Sequence, residues 1–234
     1  MSATDAAARR EELVALYKEV SKCTKCPLHE TRTKAVFGAG NADADLMFVG
    51  EAPGAEEDRQ GLPFVGRAGQ FLNELLVEIG LSREEVFICN VLKSRPPNNR
   101  DPLPTEIAAC EPYLFEQVRL IQPRVVCTLG NFATKLLTGN PTGITRVRGV
   151  PQTHDLGGRT VYLLPIFHPA AGLRTPAVKE QLREDFATIP ALLQKALPEP
   201  MPSAAEIAAA TAPEDEDPPP PADQLGFFGE PGPG

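Results

Sequence analysis

The chain has 234 residues and a formal charge of −8, but the charge is unevenly spread: eight of its 31 acids fall after Leu197, where no Lys or Arg occurs, and the other 23 balance the 23 basic residues. A neutral body excludes neither a local basic patch nor nucleic acid. The lack of a signal-peptide core or a bilayer-length apolar run predicts a soluble, cytoplasmic protein with no membrane partner, in which five cysteines read as ligands or buried thiols rather than disulfides.

Leu13, Leu16, Tyr17 and Val20 recur at helical spacing and predict an amphipathic helix that delivers the chain to Cys23-Thr-Lys-Cys26. Four strands are predicted: Leu46–Val49, Val86–Cys89, Val125–Leu129 and Thr160–Phe167. Between and after them, helical patterns cover Ala68–Ile79, Pro104–Ile121, Phe132–Leu137 and Val178–Leu193. This alternation predicts an α/β fold of three layers, α/β/α, around a central, mostly parallel four-stranded sheet. After Ala196 the chain is rich in Pro, Ala, Glu and Asp, so a folded domain over 1–196 and a disordered tail over 197–234 are expected.

Three strands end in distinctive polar loops, which a parallel sheet gathers into one crevice at its carboxyl edge. The first is Gly50-Glu51-Ala52-Pro53-Gly54, running on through Gly61-Leu-Pro-Phe64-Val-Gly66-Arg-Ala-Gly69; the second is Asn90; the third is His168-Pro169-Ala170-Ala171. An aromatic face, a carboxamide and an imidazole together suit a pyrimidine base. Asn90 can donate to O4 of uracil and accept from N3–H, a pattern that cytosine reverses at a cost of roughly 1–3 kcal/mol per unpaired group. His168 can donate to O2, where charge builds as the glycosidic bond breaks. Taken singly, each residue has a plainer reading: Phe64 as core, Asn90 as a turn cap, Glu51 as a solvated acid, His168 as an ordinary strand-end histidine.

These loops resemble those of the uracil-DNA glycosylase superfamily, specifically its iron–sulfur-containing family 4, over roughly Lys22 to Leu193. The motifs that carry the resemblance are Cys-x-x-Cys, Gly-Glu-Ala-Pro-Gly, Leu-Pro-Phe-Val-Gly-Arg-Ala-Gly, Asn90-Val-Leu-Lys-Ser-Arg-Pro-Pro and His168-Pro. The resemblance implies a monofunctional uracil-DNA glycosylase of base excision repair. In it Glu51, Ala52 and Gly54 frame base and water, Phe64 stacks on the base, Asn90 selects it, and His168 stabilises the leaving anion. Ala52 and Gly54 replace the water-orienting Asp and thymine-blocking Tyr of the better-known family, so Glu51 or a backbone carbonyl is left to act on water. Leu173 is the candidate wedge for the vacated stack, and Arg174 and Lys179 sit near the flanking phosphates. Arg95, Arg100, Arg146 and Arg148 are candidates for a basic strip.

Family 4 also implies a [4Fe-4S] cluster on four cysteines. Cys23, Cys26 and Cys110 match three of them, and Ser94 stands at the fourth position. A serine oxygen is a harder ligand than a thiolate, so a labile, three-iron, or serine- or water-ligated cluster is expected, with zinc as the rival occupant. Cys110 alone would read as core on an apolar helix face, and Cys89 and Cys127 within strands do read so. In the tail, Gln224-Leu225-Gly226-Phe227-Phe228 resembles the peptide by which bacterial repair proteins dock on the sliding clamp.

The expected partner is uracil-containing DNA, single- or double-stranded, acted on by a monomer. From another class, the alternative is a uracil-DNA binder that no longer turns over. A covalent-trapping variant is disfavoured because Lys93 to Pro104 holds no histidine. A nucleotide-binding regulator is disfavoured because Gly-Glu-Ala-Pro-Gly lacks a following Lys-Ser/Thr.

Overall fold

A computed structural model describes residues 3–197. The segment Gln224–Phe228 lies outside the described residues. In chain order the elements are α1 (Ala3–Ser21), β1 (Ala39–Gly40), β2 (Leu46–Gly50), α2 (Ala55–Gln60), α3 (Arg67–Glu78), β3 (Phe87–Asn90), α4 (Pro104–Ile121), β4 (Val125–Leu129) and α5 (Asn131–Thr138). They continue with α6 (Ile144–Val147), β5 (Gln152–Leu156), β6 (Arg159–Ile166), α7 (Pro169–Gly172), α8 (Pro176–Ala187) and α9 (Ile189–Gln194). No helix among the described residues is long and apolar enough to cross a membrane.

The sheet has six strands, not four, in the order β1-β3-β2-β4-β6-β5. The four predicted strands form its parallel centre, while β1 and β5 pair antiparallel at the two edges. β5 escaped prediction because its first four residues (Gln152, Thr153, His154, Asp155) are polar and sit at a sheet edge where burial is incomplete. It is joined to β6 by Gly157-Gly158, both at positive φ, with Leu156 paired to Arg159. Two glycines between paired strands are a hairpin signal in their own right.

Side-chain alternation along the central strands splits the interior in two. Met47, Val49, Phe87, Cys89 and Val126 face a cluster built with α1 and α4. Leu46, Phe48, Ile88, Val125 and Cys127 face a second, built with α3, α8 and α9. Near-continuous apolar strands are what helices on both faces require. The last predicted helix is two, broken at Thr188, because Pro190 lacks the N–H needed to carry α8 onward and instead occupies the first turn of α9.

Candidate active site

β2, β3 and β6 run parallel, so Gly50, Asn90 and the chain just after Ile166 share one edge of the sheet. Pairing continues beyond the ladder: Val91 N donates to Gly50 O at 2.9 Å and Leu92 N to Glu51 O at 3.0 Å. These bonds hold the first two loops side by side. A cavity of about 500 Å³ opens there, and its walls include Glu51, Ala52, Gly54, Phe64, Asn90 and His168. Every residue that the sequence nominated for the base therefore meets in one space, and Arg174 also lines it. Leu173 is 40% exposed on the turn that follows α7. Arg148 is not free for phosphate, since it bonds Asp185 on α8 at 2.8 and 3.0 Å. Arg100 likewise pairs with Glu106, and Lys179 lies over the Phe71 ring.

Phe64 is held in the left-handed region at φ 51, a conformation that costs a bulky residue on the order of 1 kcal/mol or more. Two clamps sustain it. Arg83, on the far side of α3, donates to Phe64 O at 3.0 Å and also to Pro63 O. Glu57 accepts from Val65 N and Gly66 N at 3.0 and 3.1 Å. α3 closes in so tightly that a Cβ on Gly69 would lie 1.7 Å from Phe64 O. Glu57 was not nominated from the sequence; the short helix α2 turns it inward while Glu56 pairs with Arg59 in solvent. Asn99 is a second cavity residue that the sequence reading missed, in a turn where Asn98 and Asn99 both take positive φ.

Gly50 is the other close approach. A Cβ there would stand 2.4 Å from Asn90 Oδ1 and 2.8 Å from Phe64 Cζ. The Phe64 and His168 rings lie near parallel, 5.5 Å apart at an interplanar angle of 27°.

His168 caps α7: its Nδ1 accepts the Ala170 N–H at 3.1 Å. A nitrogen that accepts carries no proton, so the neutral ring holds its hydrogen on Nε2. Burial pushes the imidazole pKa from the ordinary 6.5 down to about 4, against a smaller upward pull from Glu57. The ring is neutral at neutral pH and donates as an imidazole. As pH falls, the unfolded chain takes up this proton before the folded one does. The stability contributed is complete above about pH 6.5 and is lost towards pH 4, at most about 3 kcal/mol. Melting temperatures measured from about pH 7 down to about pH 5 should therefore fall less steeply in His168→Asn than in the wild type. Parallel pH profiles would remove the buried neutral ring as the cause.

Glu51 is half-buried at the same wall. Burial, and secondarily Asp101, hold its carboxyl above the usual range. A second cavity of about 610 Å³, lined by Asp101, Asn131 and Lys135 among others, shares Glu51 and His168 with the first.

The cysteine pair sits where α1 gives way to a short 3-10 turn, Pro27–His29, with Cys26 as its first flank. Cys23 and Cys26 pack against the cluster that contains Cys110. Burial pushes the thiols of Cys26 and Cys110 up, and each is raised further by the neighbouring thiols. Lys25 N donates to Cys23 Sγ and Lys93 N to Cys110 Sγ, both at 3.5 Å. Ser94 is buried, and its hydroxyl accepts from Arg32 Nη1 at 3.1 Å, a contact with no forewarning in the sequence. Among the described residues, no three His, Cys, Asp or Glu side chains converge closely enough to hold a single metal ion.

The model of the uracil DNA glycosylase superfamily matches residues 37–188. The chain is 45% identical over 192 residues to the type-4 uracil-DNA glycosylase of Archaeoglobus fulgidus, covering 80% of this chain and 96% of that one. It is 53% identical over 167 residues to the type-4 enzyme of Thermotoga maritima, covering 70% and 85%. Against the type-4 enzyme of Sulfurisphaera tokodaii it is 46% identical over 184 residues, covering 76% and 84%. Matches of this extent, on a chain whose strand ends meet in one cavity, place it in a family: the chain belongs to the uracil-DNA glycosylase superfamily and, within it, to the type-4 uracil-DNA glycosylases.

Proposed function

We propose that the chain is a monofunctional uracil-DNA glycosylase, which hydrolyses the bond between uracil and deoxyribose in DNA and leaves an abasic site for base excision repair. The observation that carries this reading is the single cavity lined by Glu51, Phe64, Asn90 and His168. Uracil leaves the stack at a cost of a few kcal/mol, less from single strands, and Leu173 fills the space behind it. Phe64 offers the stacking face; Asn90 donates to O4 and accepts from N3–H. As the bond from C1′ to N1 breaks, its electron pair passes to the base, and His168 donates Nε2–H to O2. A water adds its oxygen to C1′ and gives a proton to Glu51, whose raised pKa suits a base. That proton later neutralises the departed uracil anion. Arg174 meets a flanking phosphate.

Cys23, Cys26 and Cys110, with Ser94 at the fourth corner, hold an iron–sulfur cluster in this reading. Support comes from the packing of Cys23 and Cys26 against the cluster that contains Cys110, and from two amide donors to sulfur. Such a cluster would be structural, pinning the segment after α1 to the loop after β3, whereas a single zinc ion is disfavoured because no three of these side chains converge on one point among the described residues. Ser94→Cys should raise the iron content of purified protein and its persistence in air; unchanged iron would remove Ser94 from the fourth corner. The folded domain over 1–196 works as a monomer in the cytoplasm, and the tail segment Gln224–Phe228 docks on a sliding clamp.

The test is excision from a uracil-containing single-stranded oligonucleotide, read as alkali-labile cleavage on a denaturing gel. Cleavage supports the enzyme; binding without cleavage by folded protein would favour a uracil-DNA binder instead.

A further inference from the structure

Lys93 is fully enclosed, and neither the fold nor the reaction above accounts for it. It is 2% exposed, as is Asn90, and Gln117 is 0% exposed. Lys93 Nζ donates to Asn90 O at 2.7 Å and to Gln117 Oε1 at 2.6 Å. Gln117, on α4, passes the connection on by donating from Nε2 to Phe37 O at 2.9 Å. The main chain of Lys93 is tied at both ends as well: its carbonyl accepts from Val36 N at 2.8 Å, and its amide donates to Cys110 Sγ.

We propose that Lys93 is the positioning residue of the base-reading asparagine, fixing the Asn90 main chain against Gln117 on α4 so that the carboxamide meets uracil in register. The proposal rests on the role of Asn90 given above. Asn90 closes β3, and its register partner Gly50 closes β2, so the sheet ends at the very residue that must be aimed. The carbonyl there is held by a side chain three positions on. Its carboxamide has no slack on the other side, where Gly50 has no room for even a methyl group. Rotation of the Asn90 peptide would swing the Cα–Cβ bond, and a small misplacement of a reading group costs disproportionately in recognition. Gln117 shares α4 with Cys110, so the same helix sets the thiol and the anchor of the base-reading strand end.

The experiment compares the full chain with Lys93→Met, Gln117→Leu and Asn90→Ala. It measures the Ki of free uracil, KM and kcat on a single-stranded uracil oligonucleotide, and melting temperature. Lys93→Met should raise Ki and KM about tenfold, the worth of one well-aligned hydrogen bond, with a smaller change in kcat. A purely structural lysine would lower the melting temperature and leave Ki unchanged below it, and that result would overturn the proposal. If Lys93→Met does not fold, Gln117→Leu removes one acceptor and should raise Ki about threefold; an unchanged Ki there would also overturn it. Asn90→Ala separates the two failures. If it leaves Ki unaltered, the base-reading role itself falls; if it raises Ki while Lys93→Met does not, only the role of Lys93 falls.

Discussion

His168→Ala should lower kcat on uracil-containing DNA by about 10²–10³-fold, the usual worth of one donor aimed at developing negative charge. The geometry makes this donor specific. Ala170 N–H occupies Nδ1, so the neutral ring offers a single hydrogen, on Nε2. With a pKa of about 4, the ring supplies a hydrogen bond rather than a positive charge, and its contribution should hold steady across neutral pH. Loss of the ring also removes the cap of α7 and the contact with Phe64, each on the order of 1 kcal/mol. The variant should therefore melt a few degrees lower yet remain folded. Single-turnover rates on saturating substrate, with circular dichroism as the folding control, distinguish the two effects. A folded His168→Ala with undiminished kcat would contradict the anion-stabilising role.

Gly50→Ala should abolish most activity while leaving the fold in place. Its methyl group would stand 2.4 Å from Asn90 Oδ1 and 2.8 Å from Phe64 Cζ, and neither separation is tolerable. Both obstacles are side-chain ends, so the backbone survives and the base-reading and stacking groups are the ones that move. Displacement of two recognition groups by about 1 Å is expected to cost on the order of 10²-fold in kcat/KM. Melting temperature should change much less than activity does. If kcat/KM stays within a few-fold of wild type, the pocket is looser than these contacts imply.

Sequence and structure part company at instructive places. The four central strands were legible because each is a short, near-continuous apolar run, which two helical layers demand. β5 was not, because an edge strand need not be apolar, although its Gly157-Gly158 turn was written in the chain. Asn90, Phe64, Glu51 and His168 were legible from the loops that follow the strands, since a parallel sheet brings those loops together. What surrounds them was not legible. Glu57 and Arg83 grip the two sides of the Phe64 turn from different elements, and only the packing of α2 and α3 brings them there. The neutrality of His168 depends on one amide and on burial, neither of which a residue type records. Arg148 looked like part of a basic strip until α8 supplied Asp185 as its partner.

The most direct test of the uracil pocket is the ratio of uracil to cytosine excision by the wild type and by Asn90→Asp, on oligonucleotides that differ only in the target base. A carboxylate can only accept, so it cannot donate to O4 of uracil but can receive the amino hydrogens of cytosine. The expected result is rapid uracil excision and no cytosine excision by the wild type, with the ratio falling about 10²-fold or more in Asn90→Asp, as two mismatched hydrogen bonds would dictate. An unchanged ratio in a folded Asn90→Asp protein would contradict base selection at this cavity.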